Sequence, residues 1–121
     1  MKAILEIASN EQMHHRALAA ARSLAATGMA QPTDLRLGFE SAAQLFAELS
    51  AERLRTLQTL RREGAQSIYA LAKTLGRNYS NVHGDVSRLM ALGLVERDSN
   101  GSVHAPFDEL EIHVPLLARA A

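Results

Sequence analysis

The chain has 121 residues, 13 basic and 13 acidic side chains, 47% hydrophobic content and only 4% aromatic residues. It has no cysteine, which excludes disulfides, thiolate zinc sites and a Cys nucleophile. A chain of this length is expected to form one compact domain with a small extension, its core filled by aliphatic side chains.

The N-terminus and the apolar runs bear on localisation. Residues 1–12 lack the apolar core and the small-residue cleavage site of a secretory signal. No apolar run approaches the roughly 20 residues needed to cross a bilayer. The sequence therefore predicts a cytoplasmic protein with no membrane contact.

Charge is distributed unevenly, although its sum is zero. Residues 50–92 carry a net charge of +4, whereas residues 1–49 carry −1 and residues 93–121 carry −3. A basic segment between acidic flanks is the electrostatic pattern expected of a region that contacts DNA.

The first third of the chain predicts a strand, a helix and a second strand. Residues 2–7 form the first strand, and Ser9 with Gln12 has the spacing of a capping box that opens a helix to about Ala26. Residues 27–32 end this helix and form a linker. Residues 35–39 alternate as a second strand able to pair with the first, and a short helix begins at Ser41.

Three helices in close succession are predicted in the middle of the chain. Their N-caps and the glycines that end them are Ser50 and Gly64, Ser67 and Gly76, and Asn78 and Gly93. The link between the second and third helices is only Gly76-Arg77-Asn78. So short a turn forces the two axes to cross steeply, as in a DNA-binding helix-turn-helix.

A hairpin follows the third helix. Residues 94–98 and 103–107 flank the turn signal Asn100-Gly101, and residues 110–114 alternate as a last strand. The order helix, helix, short turn, helix, hairpin is typical of a winged helix-turn-helix. We therefore predict a mainly α (α+β) fold, with residues 1–34 as a strand–helix extension that mediates dimerisation and residues 35–121 as the DNA-binding domain.

The third helix of this set has two different faces. Taking about 100° per residue and Val82 as the centre of the buried face, Val86, Leu89 and Tyr79 lie within about 60° of it, and Met90 at about 80°. Asp85, at the edge of that face, is expected either to take part in helix packing or to pair with an arginine. The opposite side carries Ser80, Gly84, Ser87 and Ala91, with Asn81, His83 and Arg88 at its shoulders.

A short polar face of this kind suits the major groove, where Asn pairs with adenine and Arg with guanine. Any solvated helix face also carries polar residues, and the order of the helices is what favours DNA. We predict base-edge contacts from Ser80, Asn81, Ser87 and Arg88, with His83 and Gly84 on the same face. Phosphate contacts are predicted from Lys73, Arg77, Asn78 and Arg97.

Other groupings favour structural roles. His14 and His15 are adjacent, so their side chains diverge, and Glu109, Glu111 and His113 are more typical of a charged edge strand than of a cation site. The sequence has no glycine-rich phosphate loop, nucleophile elbow or zinc-ligand spacing. We therefore predict no enzyme activity, no metal site and no cofactor.

With these residues in place, the chain resembles the winged-helix, MarR-like DNA-binding regulators of bacteria and archaea. The resemblance covers roughly residues 35–115 and is carried by residues 39–41, 53–54, 67–72, 76–86, 92–96 and 106–111. It is most specific around Asn81-Val82-His83. Relatives often carry a basic residue where Gly84 stands, which puts one DNA contact in doubt.

This resemblance implies transcription regulation, and in some members an antitoxin role in a toxin–antitoxin operon. We predict a homodimer that binds double-stranded DNA at half-sites about one helical turn apart, as an autoregulating antitoxin-type repressor. One alternative is a module that neutralises a cognate toxin, using the acidic residues 108–111. Another is a repressor that senses a small ligand between the N-terminal helix and the core.

Overall fold

The computed structural model describes residues 1–28 and 34–117. Within these residues, five helices and five strands form an α+β fold. No helix in these two ranges is long and apolar enough to cross a bilayer. The linker predicted at residues 29–32 lies outside the described residues.

A three-stranded parallel sheet joins the two ends of the described chain. Strand β1 (Lys2–Ile7) lies between β2 (Leu35–Phe39) and β5 (Glu109–His113). The register places Leu5 opposite Leu37 and Ile112. Pairing between the first two strands is confirmed. The third strand joins residues 1–34 to the C-terminal region in one sheet, whereas the dimerisation role of residues 1–34 remains a prediction.

The sheet has one apolar and one charged face because side chains alternate along each strand. Ala3, Leu5 and Phe39 belong to the face that packs on the helical core. Lys2 and Glu111 lie on the other face and form an ion pair of 2.7 Å. The apolar side of the sheet therefore covers the helices.

Four helices pack under the sheet, and serine or asparagine caps all of them. They are α2 (Ala42–Glu48), α3 (Ala51–Glu63), α4 (Ile68–Leu75) and α5 (Tyr79–Leu92). The predicted caps and terminating glycines are confirmed. Leu60, Leu71 and Leu89 are each fully buried, one from each of the last three helices.

The hairpin after α5 is shorter than its sequence suggested. Its strands are β3 (Glu96–Arg97) and β4 (Val103–His104). The carboxylate of Asp98 accepts hydrogen bonds from the backbone N–H groups of Asn100 (2.9 Å) and Ser102 (3.0 Å), which holds the turn around Gly101. The paired strands are two residues long, and the Asp98 N–H donates to the Ser102 carbonyl (2.8 Å) where the turn begins.

Helix α1 (Asn10–Thr27) is attached differently from the other four. The predicted capping box is present, with the Ser9 hydroxyl accepting from the Gln12 N–H and the Gln12 side chain accepting from the Ser9 N–H. The first turns are held to the sheet: Met13 packs over Gly38, where a Cβ would collide with it, and Arg16 pairs with Glu6. All 18 residues of α1 are described, and none of them is buried.

Candidate nucleic-acid interface

Helix α5 has one side in the core and one side in solvent. Val82, Val86 and Leu89 are each 0% exposed, as predicted for the buried stripe. The opposite side is not covered by any described part of the chain. The residues exposed there are Ser80, Asn81, His83, Gly84, Ser87, Arg88 and Ala91.

The prediction was wrong for one residue of the buried stripe. Tyr79 is 49% exposed, and its ring stands 5.9 Å from that of His83. Tyr79 is the first residue of the helix and precedes the first buried position, Val82, by almost one turn. It therefore lies past the end of the packed stripe and adds an aromatic side chain to the exposed surface. Met90, predicted at the edge of the stripe, is half-buried.

The turn that sets α5 against α4 is built by its backbone. Gly76 adopts a left-handed conformation (φ 65°), and its N–H reaches the carbonyl groups of Ala72 and Lys73. The side chain of Asn78 then accepts a 2.8 Å hydrogen bond from the Ser80 N–H and begins the next helix. Two capping residues separated only by Arg77 thus allow a link of three residues.

Asp85 is the single carboxylate in the sequence of α5, and it faces the protein. Its two oxygens accept hydrogen bonds from Arg53 (3.1 Å) and Arg77 (2.7 Å). The prediction that Asp85 pairs with arginine is confirmed, and two arginines are involved. A carboxylate that would repel phosphates is thereby neutralised and turned away from the exposed face.

Arg77 was predicted to contact phosphate from the turn. Its side chain is only 23% exposed, because Asp85 and Glu52 (3.5 Å) hold it. The hydrogen bond that Arg77 donates to Asp85 raises the pKa of Arg77. In the structure, Arg77 joins α3, the turn and α5.

Arg88 projects from the exposed side but is oriented by Glu48, the last residue of α2. Its Nε donates to Glu48 at 2.6 Å, and a second N–H donates to the other carboxylate oxygen. The pKa of Glu48 is lowered and that of Arg88 is raised, in each case mainly by this paired hydrogen bond. Two of the five guanidinium donors are used, so about three remain for an outside acceptor.

Glu48 also accepts from Arg53, so the charges form a continuous chain. It runs from Arg88 through Glu48, Arg53, Asp85 and Arg77 to Glu52. Cations and anions alternate along its whole length. Because these residues come from α2, α3, the turn and α5, the network fixes the orientation of α5 on the domain.

Glu48 and Tyr69 belong to this surface and were missed by the sequence analysis. Glu48 is 40 residues from Arg88, and local spacing carries no signal for such a pair. Tyr69 is exposed on α4, with the Lys73 ammonium 5.0 Å above its ring. The helical spacing does indicate that Tyr69, which follows Ile68, lies outside the buried stripe of α4.

The hairpin supplies a smaller part of the surface. Arg97 is exposed, whereas His104 lies 3.3 Å from Glu96. Leu94, Val95 and Val103 are buried, so the hairpin packs on the helices. Backbone hydrogen bonds between Gln66 and Val103 (3.1 and 2.9 Å) tie it to the segment before α4.

Two of the three acidic residues at positions 108–111 are paired within the chain. Asp108 contacts Arg61 and the N-terminal ammonium, and Glu111 contacts Lys2 and His113. The residues that the structure describes contain no group of three or more His, Cys, Asp or Glu side chains placed to hold a metal ion. The acidic segment is thus an internal charge partner in this state.

Two of the clefts among the described residues have room for a small molecule. One, of about 420 Å³, lies between α3 and the β4–β5 segment and is lined by Leu54, Leu57, Arg61 and Phe107, among others. The other involves Gln12 and Arg16 of α1 together with β5. Neither has a buried, unpartnered polar side chain of the kind that would identify a ligand.

Comparison with known proteins gives one family. A model of the HVO_A0114 family matches residues 48–112, from the end of α2 to β5. No curated protein and no solved structure matches the chain. The matched segment is just over half of the 121 residues and contains the whole α3–α4–α5 region and the hairpin. The chain therefore belongs to the HVO_A0114 family.

Proposed function

We propose that the protein is a sequence-specific, DNA-binding transcription regulator of winged helix-turn-helix type, with α5 as the helix that enters the major groove. The observation that carries the proposal is the two-sided character of α5. Its apolar side is buried in the core, and its other side offers Asn81, Ser87 and Arg88, with no carboxylate of α5 itself on that side.

The chemistry of the exposed side fits base edges. Asn and Arg make bidentate hydrogen bonds with adenine and guanine, and small residues allow close approach to the groove floor. Glu48 holds one edge of the Arg88 guanidinium and leaves the remaining donors for a base. An arginine fixed in this way loses less side-chain freedom on binding than a free one.

Phosphate contacts would come from around this helix. Lys73 and Arg97 are exposed cations on either side of it, and Asn78 stands at its positively polarised N-terminus. Tyr69 and Tyr79 add exposed aromatic side chains near Lys73 and Asn78. Arg77 contributes indirectly, by fixing the turn.

A plain regulator is favoured over a toxin-neutralising module. Two of the three acidic residues that would contact a basic partner, Asp108 and Glu111, are already bound to Arg61, Lys2 and the N-terminus. Removing residues 108–121 is not a clean test of the alternative, because it would also delete β5 from the sheet.

The test is selection of a binding site from a randomised DNA duplex library, followed by titration of variants. We expect Asn81→Ala and Arg88→Ala to weaken binding to the selected site by roughly 5- to 150-fold, the range of a lost bidentate base contact. Lys73→Ala should weaken binding to all sequences about equally and reduce the salt dependence by about one phosphate contact.

Arg22→Ala is the matched control, since it removes the same charge from α1. Thermal unfolding of each variant establishes that the fold is retained. If Asn81→Ala and Arg88→Ala both bind the selected duplex as tightly as the parent, α5 is not the groove helix and the proposal fails.

A further inference from the structure

We infer that α1 is the contact surface for a second copy of this chain, with the two helices antiparallel and Ala21 on the two-fold axis. This interface is separate from α5. Its test is carried out without DNA, so its outcome is independent of the proposed DNA-binding function.

The described residues of the chain leave the apolar side of α1 largely exposed to solvent. None of the described residues of α1 is buried, and Leu18 and Leu24 are 40% and 48% exposed. Length gives the reason: 18 helical residues span about 27 Å, whereas the six residues of β1 span about 20 Å. The first turns are anchored on the sheet through Met13 and Arg16, and the apolar residues lie beyond them.

The uncovered residues form a single stripe. At about 100° per residue, Ala17, Leu18, Leu24 and Ala25 all fall within about 60° of Ala21. No charged residue interrupts this stretch on that side, because Arg22 points about 100° away. A stripe with this spacing is the usual seam between two packed helices.

The stripe is also symmetric in sequence about Ala21, and this symmetry indicates that its binding partner is a second copy of the chain. Leu18 and Leu24 stand three residues before and after Ala21, and Ala17 and Ala25 stand four before and after. An antiparallel copy centred on Ala21 therefore places Leu18 at the same height along the helix axis as the partner's Leu24, on the other edge of the seam. A different protein would have no need of this symmetry, whereas self-pairing across a two-fold axis requires matched patches.

The area of contact sets the strength of the pair. Alanine at the crossing lets helix axes approach to about 8 Å, the close end of the usual range. Two strips about 14 Å long, the length of residues 17–25, and about 10 Å wide cover roughly 300 Å² in total, well below the roughly 1,200 Å² of stable interfaces. We therefore expect a reversible dimer that dissociates on dilution.

Sedimentation equilibrium on the full chain measures this association. The mass should rise from 13.1 kDa towards twice that value as the concentration increases through the micromolar range. Leu18→Glu and Leu24→Glu should each weaken association at least tenfold. Because both residues are exposed, circular dichroism should show that the fold is unchanged. A chain that stays monomeric at several hundred micromolar, or a dimer that both substitutions leave intact, overturns the inference.

Single cysteines define the geometry, since the natural chain has none. Under mild oxidation, Ala21→Cys should form a disulfide-linked dimer, whereas Ala19→Cys, about 160° away on the helix, should not. A mixture of Ala17→Cys and Ala25→Cys chains should cross-link to each other in preference to themselves. In the antiparallel pair, two copies of residue 17 are about 12 Å apart along the axis, too far for a disulfide. Preferential linkage of residue 17 to itself indicates parallel helices and also overturns the inference.

Discussion

Helices α1 and α5 look alike in sequence but not in the folded protein. Both begin at a polar cap, end at a glycine in the left-handed conformation and carry apolar residues at helical spacing. Helix α5 buries Val82, Val86 and Leu89 completely, whereas α1 buries none of its residues. An apolar stripe thus specifies that a helix face will be covered, but not by which chain.

The difference arises from how each helix is connected. A link of three residues places α5 directly against α3 and α4, and the charge network around Asp85 fixes its rotation. Helix α1 is held on the sheet through Met13 and Arg16 in its first turns. Helix α5 is therefore part of the core, whereas α1 is exposed along most of its length.

The largest expected effect comes from truncating one leucine in each helix. Leu89→Ala should lower the free energy of unfolding by about 2–5 kcal/mol, because it removes a fully buried side chain and leaves a cavity. Leu18→Ala should change it by less than about 0.5 kcal/mol, as expected for an exposed position. Urea unfolding at low micromolar concentration, where α1 is unpaired, measures both. Equal losses would mean that α1 is packed in solution as firmly as α5.

Sequence reasoning recovered the helices, their caps and the two sides of α5, since each depends on residues within about ten positions of one another. It also identified Asp85 as an arginine partner. It missed the Glu48–Arg88 pair and the place of β5 beside β1, because both join segments far apart in the chain. It placed Tyr79 in the core because angle alone does not show where packing begins. The residues predicted to bind DNA are all exposed except Arg77, which is paired with Asp85.

A smaller effect is expected from the pH dependence of Glu48. The hydrogen bonds from Arg88 lower the pKa of Glu48 in the folded state relative to the unfolded chain. Stability from this pair is therefore present at neutral pH and is lost as the pH falls below the ordinary carboxylate range of about 4 and through the lowered pKa. Glu48→Gln should be less stable than the parent at pH 7, and the gap should close on acidification, as followed by urea unfolding between pH 7 and pH 3.

Glu11→Gln on α1 is the control for this experiment. Its side chain is 85% exposed and stands 3.9 Å from His15, a geometry that contributes little to stability. It should follow the parent at every pH. A Glu48→Gln curve that stays parallel to that of the parent would show that the pair with Arg88 does not stabilise the folded protein.

The smallest expected effect is a gain in stability from replacing Gly84, on the exposed side of α5. A Cβ built there meets nothing within 4 Å, and the backbone does not have a positive φ. Gly84→Ala should therefore raise the free energy of unfolding by up to about 1 kcal/mol through helix propensity. Gly93→Ala is the matched control, because its φ of 84° strains any side chain, and it should destabilise the protein instead. If Gly84→Ala gains stability but loses affinity for the selected duplex, the absence of a side chain at this position serves close approach to DNA. A loss of stability would show that another group covers this side of α5 in solution, as the second copy is inferred to cover α1.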